Sequence, residues 1–350
     1  MLDLDYQPIK LVSTEGMSEK EWLSWRKQGL GGSDTAVVMG CSPWKTKRDL
    51  YYDKAGIPNA IPDTSNWVAK EIGHRLEGLV ADLFAQKTGY TVSEEKYMFQ
   101  HPLYPFMLAN VDRFIELPDG KRAILEIKTT HYLNKASWEH DRIPRYYELQ
   151  GRFYMAVLNL DVCFFACLFG NNETDLIMHR IERDLDEEEI LINELQHFWQ
   201  NNVLAKVEPP LLEKPELALE TLKRHFGSDE KNTSQVSLPA NYMDTLMHYL
   251  DIKEQKAALE KKARQLDKEM KAAYLPIIEF MGAHSSAVLV SGNTEYQISY
   301  EIKQKQTLTA EQCKLLQLKY PHIFEEMAVT TETRPFKVTV VPTIAPAKSA

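Results

Sequence analysis

Glu126 and Lys128 stand two residues apart in the apolar segment Leu125-Glu126-Ile127-Lys128, and Asp112 closes an earlier apolar run, Phe106-Met107-Leu108-Ala109-Asn110-Val111. Successive side chains of a strand face opposite ways, so Glu126 and Lys128 share one face while Leu125 and Ile127 point into the core. Pro118-Asp119-Gly120-Lys121 is a turn signal that folds the chain back between the two segments as a hairpin. Two carboxylates and one ammonium are thereby expected together. That combination suits phosphodiester hydrolysis, which needs a hard cation to polarise the phosphate and offset developing negative charge. Oxygen ligands point to Mg2+, with Mn2+ as a substitute, held by Asp112, Glu126 and the Ile127 backbone carbonyl. Lys128 would orient the attacking water or neutralise the phosphate. Taken alone, Glu-x-Lys also describes a solvated strand face.

The elements that must position these residues are readable around them. Ser18 followed by Glu21 has the form of a capping box and opens a helix carrying Trp22, Trp25 and Arg26. Gly29, Gly31 and Gly32 break it, and Ser33-Asp34 begins the next helix, which ends at Gly40. Ser33 then lies near a helix N-terminus, where free N–H groups can hold an anion with Arg26 converging on it, or where Ser33 or Asp34 simply caps the helix. Residues 66–87 have helical apolar spacing, with Glu77 on the edge of the stripe. Residues 91–99, 106–117 and 123–130 read as three strands. A helix over 146–160 carries Gln150 and Tyr154 on one face. Strands over 162–169 and 175–183 and a helix over 186–205 follow, so the fold class is α/β with a central mixed sheet.

These segments carry a resemblance. Trp25-Arg26, Gly31-Gly32-Ser33-Asp34, Ser42-Pro43-Trp44-Lys45, Gly73-His74-Arg75-Leu76-Glu77, Leu108-Ala109-Asn110-Val111-Asp112, Glu126-Ile127-Lys128, Gln150 and Tyr154 follow one another as in the YqaJ-type viral recombinase family. This is the phage lambda exonuclease-like branch of the PD-(D/E)xK nucleases, and the match covers roughly residues 20–205. The resemblance implies a restriction-endonuclease-like core and a DNA exonuclease acting on double-stranded ends, with a RecT-type single-strand annealing partner in phage or prophage recombination. It also implies that Glu77 is a further metal-site carboxylate, that Gln150 buttresses Glu126 or a bound water, and that Tyr154 faces the active centre. Arg26 and Ser33 would form a pocket for the terminal 5′ phosphate, setting 5′-to-3′ degradation that leaves a 3′ single strand. A ring-shaped homotrimer is expected on the same basis. The alternatives are an endonuclease of the same superfamily and a non-catalytic DNA-end-binding scaffold, against which the intact set Asp112, Glu126 and Lys128 argues.

The chain has 350 residues, 44% of them hydrophobic, which can supply a sizeable core. Its net charge of −9, taken as a total, opposes a DNA partner. Acid concentrated at places such as residues 184–189 leaves room for a basic interior, so the total bears more on solubility. The four cysteines are scattered; Cys163 and Cys167 sit in an apolar strand, and no iron–sulfur cluster is expected. No signal peptide or membrane span is expected, and the bacterial host cytoplasm is the expected compartment. The expected domains are a nuclease domain over 1–208, a linker or insert over 209–240, a long helix or coiled-coil arm over 241–282, a small α+β appendage over 283–341, and a tail over 342–350. In the arm Leu259, Leu266, Met270, Ala273 and Ile277 recur by three, four or seven. A polar insert is expected over 227–234, a hairpin turn at Gly292-Asn293, and a closing strand over 335–340.

Overall fold

Residues 2–61, 67–170, 172–227, 235–292, 294–305 and 307–328 are described by a computed structural model, in which the chain divides into two units, Met1–Ser234 and Gln235–Ala350. The first begins with strand β1 (Ile9–Ser13) and helices α1 (Glu19–Arg26), α2 (Gly32–Val38), α3 (Lys47–Ala55) and α4 (Trp67–Thr88). Ser18 caps α1 with the reciprocal Glu21 bond, as its spacing predicts. Strands β2 (Thr91–Ser93), β3 (Tyr97–Gln100), β4 (Leu108–Ala109), β5 (Arg113–Glu116) and β6 (Arg122–Thr130) follow, then helix α5 (Arg145–Leu158), strands β7 (Val162–Phe169) and β8 (Leu176–Glu182), and helix α6 (Leu185–Phe198). The last turn of α6 runs on as a π-helix, Trp199–Leu204.

The main sheet has the order β2-β5-β6-β7-β8, and only β6 and β7 are parallel. A parallel pair needs a crossover, which α5 supplies. Both faces are covered, so β6 is buried along both of its alternating rows. Ala123, Leu125 and Ile127 pack with Val80 and Phe84 of α4. Ile124 belongs to the opposite cluster with Leu149 and Phe153 of α5 and Val37 of α2. Glu126 shares the Ile124 row and is 1% exposed. A solvated strand face is thereby excluded.

Two expected strands are each split. Residues 91–99 form β2 and β3, and 106–117 form β4 and β5; β3 pairs with both β1 and β4 in a separate three-stranded sheet. The chain changes sheets at Asn110-Val111-Asp112, which frees Asp112 from the ladder. Within the stretch expected as linker, Pro215–Phe226 is a helix, α7, with Pro215 at its start, where a missing N–H is harmless. Thr221 Oγ1 and Arg224 Nη2 donate to Asp49 Oδ2 of α3 at 2.7 and 2.8 Å, and His225 stacks on Tyr52. This helix is part of the first unit.

The second unit holds helix α8 (Met243–Met281), strands β9 (Ser286–Ser291) and β10 (Thr294–Ser299), which pair antiparallel, and helices α9 (Ala310–Lys319) and α10 (Pro321–Met327). The expected strand over 335–340 and tail over 342–350 lie outside the described residues, as do Asn293 and most of the expected insert at 227–234. Among the described residues no helix is long and apolar enough to cross a membrane.

Candidate active site

The antiparallel register of β5 and β6 pairs Arg113 with Leu125 and Glu116 with Arg122. One step beyond the ladder, the side chain of Asp112 replaces a strand partner: its Oδ2 accepts the Ile127 N–H at 2.7 Å. A buried N–H must find an acceptor, so this bond pins the Asp112 carboxylate against β6. The carbonyl of Ile127 lies on the same strand edge as its N–H. Asp112, Glu126, Ile127 and Lys128 all line one cavity of about 540 Å³.

Glu126 Oε1 accepts from Lys128 Nζ at 2.5 Å and from Gln150 Nε2 at 2.5 Å, and Gln150 also donates to the Tyr154 hydroxyl at 3.0 Å. The expected pairing of Gln150 with Glu126 is therefore formed, with Tyr154 behind it. Burial, then the neighbouring Asp112, pushes the Glu126 carboxyl up to about 8. Burial likewise raises the Asp112 carboxyl. Burial opposes the charge on Lys128, but Glu126 and Asp112 outweigh it and raise its pKa, so the ammonium keeps its proton. Its Nζ lies 5.0 Å from the ring centre of Tyr147, another cavity residue.

Glu126 Oε2 is buried and has no hydrogen-bond partner among the described residues. An acceptor in that state is costly unless something else satisfies it. An orphaned carboxylate oxygen, a second carboxylate and a backbone carbonyl edge, with both carboxyls raised by burial and Glu126 raised further by Asp112, fit a hard divalent cation. Among the described residues no three His, Cys, Asp or Glu side chains form a ready metal cluster. Glu77 reaches the cavity wall from α4, but its Oε1 is bonded to Arg113 Nη1 at 2.5 Å, which also donates to the Asp112 carbonyl. Arg113 was not singled out from sequence, although its place directly after Asp112 was a signal. His74, three residues before Glu77, also lines the cavity.

Arg26 and Ser33 meet on another part of the same wall, where Arg26 Nη2 donates to Ser33 Oγ at 3.0 Å. Sequence left the start of α2 open between an anion site and a cap supplied by Ser33 or Asp34. Gly31 is the N-cap, and Asp34, at the third helical position, reaches back so that its Oδ2 accepts the Gly31 N–H at 2.9 Å; the helix has seven residues. The Arg26 guanidinium is set over Trp22. Asp34 also pairs with Lys54 Nζ at 2.8 Å, and that ammonium donates to the Arg26 carbonyl at 3.0 Å. Burial would raise the Asp34 carboxyl, but Lys54 and Arg26 together hold it below the usual range. A buried ion pair on α2 and α3 thus anchors the turn carrying Arg26. Leu30 fixes the following glycines by backbone bonds to Phe106 and Leu108. A Cβ on Gly32 would stand 2.6 Å from the Tyr154 ring, so only glycine lets α2 approach α5 this closely.

Residues 21–161 match the model of the YqaJ-like viral recombinase domain. The uncharacterized protein YqaJ of Bacillus subtilis (strain 168) is 36% identical over 264 residues, covering 75% of this chain and 80% of that protein. The chain belongs to the YqaJ-like viral recombinase family. Among solved structures, this family member is similar to an alkaline exonuclease, LHK-Exo, from Laribacter hongkongensis, with a TM-score of 0.45 and 19% identity over 58% of this chain and 98% of that one. It is also similar to a phage related exonuclease from Haemophilus somnus 129PT, with a TM-score of 0.37 and 13% identity over 53% of this chain and 99% of that one.

Proposed function

We propose that the protein is a Mg2+-dependent DNA exonuclease of the PD-(D/E)xK type that degrades linear duplex 5′ to 3′ and leaves a 3′ single strand. The observation that carries this reading is Glu126, buried with Oε1 doubly bonded and Oε2 unpartnered, beside Asp112 in a cavity that also holds a charged lysine. Asp112 and Glu126, with the Ile127 carbonyl, would hold Mg2+, or Mn2+ in its place, and the bound ion would supply charge stabilisation to the reacting phosphate. Glu77, paired with Arg113, adds negative charge at the cavity wall. Lys128 retains its proton, so it acts as a donor: it orients the attacking water or a phosphate oxygen and does not serve as the base. Gln150, backed by Tyr154, fixes the carboxylate of Glu126 in one orientation.

The direction of degradation follows from the other wall. Arg26, steadied by Ser33, Asp34 and Trp22, presents a guanidinium suited to a terminal 5′ phosphate. A DNA end held there would place a neighbouring phosphodiester beside Glu126. Family membership suggests a phage-type recombination setting with a single-strand annealing partner in the bacterial cytoplasm.

Digestion of end-labelled linear duplex and of covalently closed circles, each with Mg2+ and with EDTA, tests the reading. Loss of the linear substrate alone, and only with Mg2+, is expected. Cutting of closed circles would replace it with an endonuclease.

A further inference from the structure

Lys54 stands in the last turn of α3 with its side chain 1% exposed. A lysine is almost never buried so completely unless it is paired, and a buried ion pair is often no more stabilising than apolar residues of the same volume. Packing alone therefore gives little reason for an ammonium here. Its two bonds converge on the turn that carries Arg26: Nζ lies 2.8 Å from Asp34 Oδ2 and donates to the Arg26 carbonyl at 3.0 Å.

Three charges thus meet behind the cavity wall, and one of them reaches it. Arg26 lines the cavity, whereas Asp34 and Lys54 do not. Asp34 Oδ2 is also 3.4 Å from Arg26 Nη2, a longer contact than the one to Lys54. Burial would raise the Asp34 carboxyl, but Lys54 first and Arg26 second hold it below the usual range. The carboxylate is ionised, and its nearer partner is the lysine.

The sign of the pocket follows. With Lys54 in place, Asp34 is neutralised from beneath and Arg26 faces the cavity with a net positive charge. Without it, one carboxylate and one guanidinium would remain in contact, and such a pair offers an incoming anion little net attraction. Only Nη2 of Arg26 is engaged with Ser33 and Asp34; Nε and Nη1 make no hydrogen bond among the described residues, which leaves donors for phosphate oxygens.

We propose that Lys54 is a positioning residue for end recognition: by balancing Asp34 it keeps the Arg26 guanidinium available to the 5′ phosphate monoester of a DNA end. This rests on the reading of Arg26 as the residue that receives that phosphate.

Rates of degradation in Mg2+ of one linear duplex, with 5′ phosphate or with 5′ hydroxyl ends, test it through their ratio, which does not depend on how much of a variant is folded. The parent is expected to prefer phosphate ends roughly tenfold or more, the worth of one charge-assisted hydrogen bond. Lys54→Met should bring the ratio close to one, as Arg26→Ala does, and Lys54→Gln serves as the neutral variant if Lys54→Met does not fold. Adding Asp34→Asn to the neutral variant should restore the preference, because Arg26 is then the one charge left of the three. The tether to the Arg26 carbonyl is altered alike with and without Asp34→Asn, so recovery reports charge and not anchoring. A preference lost in Arg26→Ala but kept in the Lys54 variant overturns the inference and leaves the reading of Arg26 standing. A preference that Asp34→Asn does not recover also overturns it. A parent protein without any preference overturns both.

Discussion

Gln150 Nε2 on α5 lies 2.5 Å from Glu126 Oε1 on β6, joining two buried polar side chains across the layer between helix and sheet. The bond occupies one carboxylate oxygen and leaves the other for a ligand. Gln150→Ala removes the orienting donor and keeps every acid in place. Its expected effect is a roughly 10- to 100-fold fall in kcat on linear duplex, with a small change in KM, as for residues that hold a metal ligand from behind. Steady-state rates check this; an unchanged kcat would show that Glu126 needs no support from α5.

Arg26 and the terminal phosphate give a second prediction. Duplex ends bearing 5′ phosphates should be degraded faster than the same ends bearing 5′ hydroxyls, and Arg26→Ala should erase the difference while residual cleavage continues, because only positioning is lost. Paired time courses on the two substrates measure it. Equal rates in the unmodified protein would leave Arg26 as a packing residue over Trp22.

His101 makes the fold acid-sensitive away from the site. It is 1% exposed, its ring packs against Tyr6 at 4.4 Å with a 34° tilt, and Nδ1 accepts the N–H groups of Leu103 and Tyr104 at 3.1 and 3.3 Å. An accepting Nδ1 requires the neutral ring. Burial, with Arg183 adding to it, pushes the imidazole down to about 4 from the usual value near 6.5. Between those values the unfolded chain binds a proton and the folded chain does not, so stability present above pH 6.5 is lost as pH falls through the window. The loss between pH 7 and pH 5 is about 2 kcal/mol from this residue. Urea melts at the two pH values should show it, and His101→Gln should flatten the dependence; an identical pH slope in that variant would assign the effect elsewhere.

What could be read from sequence was local. The row of Glu126 and Lys128 follows from strand period, and Gln150 with Tyr154 from helix period, so both pairs emerge before any tertiary contact is known. The switch of sheets at Asn110-Val111-Asp112 does not. β-propensity reports that a segment is extended but not which strand it pairs with, so 91–99 and 106–117 read as unbroken strands. Helix α7 was hidden because Pro215 punctuates as readily as it initiates. The Asp34–Lys54 pair and the Glu77–Arg113 pair join residues twenty and thirty-six apart on separate elements, and local spacing holds no trace of such meetings. Thus Asp112, Glu126, Lys128 and Arg26 were legible, and Lys54 and Arg113, which restrain Asp34 and Glu77, were not.

The central claim, that Asp112, Glu126 and Lys128 form a cation-dependent hydrolytic centre, is tested most directly by the rate of linear-duplex hydrolysis in Mg2+ by Asp112→Asn, Glu126→Gln and Lys128→Met beside the unmodified protein. Circular dichroism would establish that each variant is folded. Each folded variant is predicted to lose roughly a thousandfold or more of the rate, and EDTA to do the same to the parent, since charge stabilisation is the largest part of such catalysis. Full activity in any one of the three, or in the parent with EDTA, would contradict the account.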